Sequence, residues 1–236
     1  SRPSAPAPAR AAHEQKKMAA RPSSRPSSDG GLRRIVVEAN EDGIGELRQG
    51  RQRTAFEQLK FAETVLVSRP AAVAADRDLV SLTCNNLGCY YRRRGLPRTA
   101  LNYCRRAQEA ERSDSCREPD VLSEAATKLN ACAALSSIGR HGEAEQLAAE
   151  VVWLLTKEGH GRSQEECSML VMACHNLGSE REHLGQHENA GVAYFQGAQL
   201  AHSALGPRSA LAVKLRECSK EVFARLSRRS GLAPLR

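Results

Sequence analysis

The chain has 236 residues, a formal net charge of +8, 41% hydrophobic residues and only 4% aromatic ones. That length suits one domain with extensions or two small ones. A core so poor in rings must be built from Ala, Leu and Val, which favours closely packed helices over a β-sandwich. No apolar run reaches the roughly 18 residues of a membrane-spanning helix, since Leu147 to Thr156 is interrupted by Glu150, and collagen-like or fully disordered chains do not fit the composition. The first residue is Ser rather than Met, which fits a piece of a longer protein.

Residues 1–34 carry +6 of the +8: Arg2, Arg10, Lys16, Lys17, Arg21, Arg25, Arg33 and Arg34 stand against Glu14 and Asp29. Half of the chain's 10 prolines lie here and few large apolar residues do. Such a segment cannot bury enough surface to offset the entropy of ordering, so a disordered basic tail or linker is expected. A solvated linker, an electrostatic arm for an acidic polymer, nucleic acid or membrane surface, and a mitochondrial transit peptide are its three readings. Pro3, Pro6 and Pro8 oppose the amphipathic helix of a transit peptide, and no apolar stretch of the kind a secretory signal needs follows the basic start. Residues 35–236, the remainder, come to about +2, which weakens a nucleic-acid reading for the folded part.

From there on the chain repeats itself. Asn86-Leu87-Gly88, Gly95 and Ala100 match Asn176-Leu177-Gly178, Gly185 and Ala190, with Asn130, Gly139 and Ala144 halfway between and Gly50 with Ala55 upstream. The period is about 44–46 residues, the signature of a repeat architecture. Each copy reads as two helices with a Gly at the turn, where a left-handed cap residue belongs. In chain order, helices are expected at about 34–48, after Gly50, and at about 78–93, 97–111, 121–138, 142–157, 164–184 and 187–204. The first is expected to fray, because Gly43 and Gly45 each weaken a helix. Pro97 sits in a first turn, where its missing N–H is harmless, and Ser163 with Glu166 spells a capping box. A ninth helix follows Pro207, with Leu211, Leu215, Cys218, Val222 and Leu226 on one face, as a capping helix requires; residues 228–236 read as a basic end. The fold class expected is an all-α solenoid of about four repeats over 35–227 with a C-terminal capping helix.

The eight cysteines (Cys84, Cys89, Cys104, Cys116, Cys132, Cys167, Cys174 and Cys218) include no Cys-x-x-Cys, and most occupy Ala-like positions in helices. They read as small reduced core residues, with no metal or other cofactor expected. Cys174 and His175 are adjacent, and helix neighbours do not face each other, so no Cys/His catalysis is expected. No Walker-type phosphate loop is present either, and the chain is read as not an enzyme.

Leu87-Gly88, Tyr91, Gly95, Ala100 and Ala107 resemble the tetratricopeptide repeat. Leu177-Gly178, Gly185 and Ala190 fit it too, with Arg181 where the pattern has Tyr. The third copy fits at Gly139 and Ala144, with Cys132 in place of Gly. The long period, Asn85-Asn86-Leu87-Gly88 and Leu205-Gly206-Pro207 are similar to the kinesin-light-chain class of these repeats. The resemblance covers roughly 35–226. It implies a non-enzymatic scaffold or adaptor that holds a peptide or partner helix in a concave groove, intracellular, cytoplasmic or cytoskeleton-associated, in a cytoskeletal, motor or ciliary assembly.

The family pattern puts Arg48, Asn85, Arg92, Arg93, Ser136, Ser137, His175, Ser179, Glu182 and His183 on that concave side. Asn85, Arg92, Arg93, His175 and His183 are the residues expected to take an acidic or carboxylate-ended peptide, through amide hydrogen bonds and guanidinium–carboxylate pairs. Asn86, Asn130 and Asn176 are open between inter-helix hydrogen bonds and ligand contacts. Arg92 to Arg94 equally suit a helix C-terminus. The alternative function is RNA association through the basic tail and Arg92–Arg94, although Tyr90, Tyr91 and Tyr103 read as packing residues rather than base-stacking platforms.

Overall fold

A computed structural model describes residues 28–69, 76–112, 120–157 and 163–229. Among them are nine helices and no strand: α1 (Ser28–Arg48), α2 (Gln52–Val67), α3 (Arg77–Arg93), α4 (Pro97–Arg112), α5 (Val121–Ser136), α6 (His141–Thr156), α7 (Gln164–His183), α8 (His187–Leu205) and α9 (Ala210–Arg229). Each odd helix packs on the even helix after it, and odd helices also touch one another in sequence, α1 on α3, α3 on α5 and α5 on α7. The molecule is an all-α solenoid of four hairpins with α9 closing the last.

The same turn recurs because the same residue sits there. Gly50, Gly95, Gly139 and Gly185 have φ of 78°, 71°, 76° and 74°, a region that costs a side chain but not glycine. In the second copy Gly95 N–H donates to the Arg92 carbonyl (3.0 Å) and Leu96 N–H to the Tyr91 carbonyl (2.9 Å). That satisfies the last carbonyls of the first helix and turns the chain back on itself. The capping box at α7 is made in both directions: Glu166 N–H donates to Ser163 Oγ (3.1 Å) and Ser163 N–H to Glu166 Oε2 (2.6 Å).

Small residues set the helix spacing. Ala55, Ala100, Ala144 and Ala190 are fully buried at one repeat position. A Cβ on Gly88 would lie 3.1 Å from Cys104 Sγ, and one on Gly178 would lie 2.5 Å from the Tyr194 ring. The two crossings are therefore filled differently at one register, by a thiol and by a phenol.

Three sequence expectations are corrected. The first helix begins at Ser28 rather than about 34, so Arg33 and Arg34 belong to α1; Leu32 and Val36 bury on its inner face and hold it there. The remaining tail, residues 1–27, lies outside the described residues, as do Cys116 and residues 230–236. Gly43 does not fray α1: a Cβ there would meet Leu59 at 2.7 Å, so the glycine admits the side chain of α2. Its close packing offsets its low helix propensity. The ninth helix reaches Arg229, past the boundary expected at 227.

Candidate functional site

Odd helices lie side by side, and their shared face is a groove. One compartment, about 470 Å³, is lined by Arg48 of α1, Arg92 and Arg93 of α3, Asn130 of α5 and Met172 and His175 of α7. A second, about 900 Å³, is lined by Asp78, Asp120, Glu124 and Glu165 together with Arg33 and Lys128. Ala126 and Met169 border both, so the two adjoin. The first compartment lies toward the C-terminal ends of α1 and α3 and carries cations; the second lies toward the N-terminal ends and is richer in carboxylates.

The asparagines are mostly committed to the fold. Asn86 Nδ2 donates to Asn40 Oδ1 (2.9 Å), and Asn40 Nδ2 donates to Thr83 Oγ1 (2.9 Å) and the Val36 carbonyl (2.8 Å). Asn130 Nδ2 donates to Asn85 Oδ1 (2.7 Å). These bonds join adjacent odd helices and decide the open question for Asn86 and Asn130 in favour of inter-helix contacts. Asn176 interacts with His175 and with the Cys132 thiol.

Of the five expected partner-binding residues, three come together: Arg92, Arg93 and His175 share the first compartment. Arg92 Nε is enclosed and has no hydrogen-bond partner among the described residues, while Arg93 Nη1 donates to the Leu47 carbonyl (2.9 Å) and ties α3 to the end of α1. Asn85 is buried, held by Asn130, and borders the other compartment. His183 does not join them. It stacks on His141 at 4.1 Å between ring centroids, and His141 Nδ1 lies 2.7 Å from Glu180 Oε2. Glu182 accepts from Tyr194 (2.8 Å) and Arg225 (2.9 Å), and Ser137 donates to the Ala133 carbonyl (2.8 Å). Arg48, on the same compartment, forms no ion pair among the described residues.

Electrostatics separate neutral from charged groups. Burial pushes the His175 imidazole below its ordinary range, Lys214 adds to that, and Asn176 opposes it. Burial pushes the thiols of Cys84 and Cys174 up to about 11 and those of Cys104 and Cys132 to about 12, so they stay protonated at neutral pH. All four are buried in the core.

Sequence reasoning missed two bonded carboxylates, the buried Glu63 and the half-buried Glu111. Glu63 accepts from Arg106 Nη1 (2.8 Å) and Tyr103 OH (3.3 Å) and pairs with Lys60. Burial opposes its ionisation, but the Lys60 and Arg106 bonds outweigh that and hold its carboxyl below the usual range. Glu111 Oε1 accepts from Ser81 (2.6 Å), Ser123 (3.0 Å) and Thr127 (3.0 Å). Apart from Lys60, which shares a helix with Glu63, their partners come from other helices and leave no local motif. No helix among the described residues is long and apolar enough to cross a membrane. Compared with protein-family models and with curated proteins, the chain matches none.

Proposed function

We propose that the protein is a non-enzymatic interaction scaffold of the tetratricopeptide type, of the kinesin-light-chain-like class, holding a partner segment along its odd helices. The observation that carries this reading is the groove's unspent guanidinium chemistry: Arg92 Nε has no partner and Arg48 no ion pair among the described residues, beside the apolar floor of Leu129, Met169 and Met172. A segment with acidic side chains, or a C-terminal carboxylate, supplies the missing acceptors, and apolar side chains beside them meet the methionines. The carboxylate-rich compartment then takes the segment's basic or polar end. Placement in a cytoskeletal, motor or ciliary assembly follows the sequence resemblance.

RNA association has less support from the helices. Phe56, Tyr90, Tyr91 and Tyr103 pack against one another, with Tyr91 and Tyr103 stacked at 5.3 Å, so these rings are already occupied.

The test is affinity purification with the whole chain as bait, followed by the dissociation constant of each recovered partner. The charge reversals Arg48→Glu and Arg92→Glu together are expected to weaken capture, and raised salt to weaken it further. Arg98→Glu, outside the groove, is expected to leave it unchanged. Equal affinity for the double variant and the parent chain removes the groove from the binding reaction.

A further inference from the structure

Every even helix in the interior of the array occupies the same kind of seat. It packs on its own odd helix and beside the preceding even helix. Thus α4 lies on α3 and reaches α2 through Tyr103 and Arg106, which both bond Glu63. Likewise α8 lies on α7, with Ala193 and Leu200 packed among residues of α6. Beyond α9 the seat on α9 and beside α8 is open: it is a groove of about 850 Å³. Among the described residues no helix fills it.

The open seat has an apolar floor of Phe195, Ala198, Ala212, Phe223 and Ala224. Phe195 and Phe223 are 50% and 42% exposed, high values for large apolar side chains beside one another. Phe223 stands at the repeat register of Gly88 and Gly178. Its ring is braced over α8, since a Cβ on Gly191 would lie 3.0 Å from its Cζ. Where Glu63 of α2 meets Arg106 of α4, the matching position on α8 is Ala198, so this seat offers no such carboxylate; Gln108 of α4 and Val152 of α6 stand there in the other covered seats. Its rim instead carries Arg216 and Lys220, with His202 beside them and no acidic side chain on the lining. Neither Arg216 nor Lys220 has an ion-pair partner among the described residues.

We propose that the α8–α9 groove is a second docking site, separate from the odd-helix groove, and that its occupant is an amphipathic helix of a partner protein, with small apolar residues along one stripe and carboxylates flanking it. The repeat geometry fixes the helical form, because a helix is what covers this seat elsewhere in the same chain. The uncompensated rim fixes the charge of the partner. It also argues against a second copy of this chain: two such faces set against each other oppose Arg216 and Lys220 to their own counterparts.

The test uses the whole chain and two designed helical peptides of about 18 residues, roughly 27 Å long, with one Leu/Ala stripe. One is flanked by Glu and the other by Lys; fluorescence anisotropy gives both dissociation constants. The Glu-flanked peptide is expected to bind about tenfold or more tightly than the Lys-flanked one. Lys220→Glu with Ala224→Glu, both at exposed positions, is expected to weaken it about tenfold at unchanged helicity, while Arg48→Glu with Arg92→Glu leaves it unchanged. Equal binding of the two peptides, or the same affinity for the Lys220/Ala224 variant, overturns the proposal. So does a dimer of the parent chain in sedimentation that the Lys220/Ala224 variant abolishes, because the occupant is then a second copy. Loss of binding in the Arg48/Arg92 variant alone assigns the peptide to the odd-helix groove and overturns it equally.

Discussion

The seat over α2 and α3 and the seat over α8 and α9 are built from one repeat, yet one is closed and the other open. In the closed seat, Glu63 of α2 holds Tyr103 and Arg106 of α4, and Gly88 of α3 lets Cys104 approach. In the open seat, Ala198 stands in place of the carboxylate and Phe223 in place of the glycine, and Arg216 and Lys220 at the rim form no ion pair among the described residues. Polar residues inside the array are thus spent on holding helices to each other. At its end Arg216 and Lys220, and on the odd-helix face Arg48, form no ion pair among the described residues.

The comparison is sharpened first by Gly178→Leu. It forces a branched side chain into the Tyr194 ring, already 2.5 Å from where a Cβ would sit, and overpacking of this kind costs about 1–3 kcal/mol. Denaturant midpoints are expected to place it at the upper end of that range. Gly88→Leu meets Cys104 at 3.1 Å and is expected to cost less within the range, since a thiol yields more readily than a braced ring. The opposite order breaks the account of the two crossings.

Glu63→Gln is the next effect in size. The amide keeps the shape but loses the charge-assisted bonds to Lys60 and Arg106, about 1–2 kcal/mol after allowance for their partial exposure. Because the Glu63 carboxyl is held below its ordinary range in the folded chain, its contribution is complete above about pH 4.3 and is lost as pH falls through the folded value. Acid titration of stability is therefore expected to be shallower below pH 4.3 in Glu63→Gln. His175 acts in a separate window. Its folded pKa is lowered, so the unfolded chain takes the proton first, and stability falls as pH drops through about 6.5. His175→Gln is expected to flatten thermal stability between about pH 7 and 5. The smallest effect is expected at the open seat: Ala224→Glu, exposed and unpacked by any helix, shifts stability by no more than about 0.5 kcal/mol. A larger loss means that the seat is already filled from within the chain.

The turns and the small buried residues were legible in the sequence because they answer to local rules. A left-handed glycine recurs at Gly50, Gly95, Gly139 and Gly185, and the fully buried alanines follow at fixed distance. What was hidden depends on residues a whole repeat away. Gly43 reads as a helix weakener until Leu59 is seen against it. Glu63 reads as surface charge until Arg106 arrives from α4. Arg92 and His175 line one compartment between odd helices, while His183, on the same helix as His175, stacks on His141 at the turn into α6. Asn85 and Asn130 look like ligand donors one at a time and like a structural pair only together.

The central claim is that the odd helices form the binding face. Hydrogen–deuterium exchange of the whole chain, alone and with a partner recovered by affinity purification, tests it most directly. The account predicts new protection in peptides covering residues 86–93, 129–133 and 169–176, with α2, α4 and α6 unchanged. Protection confined to the even helices, with those three segments exchanging as in the free chain, contradicts it.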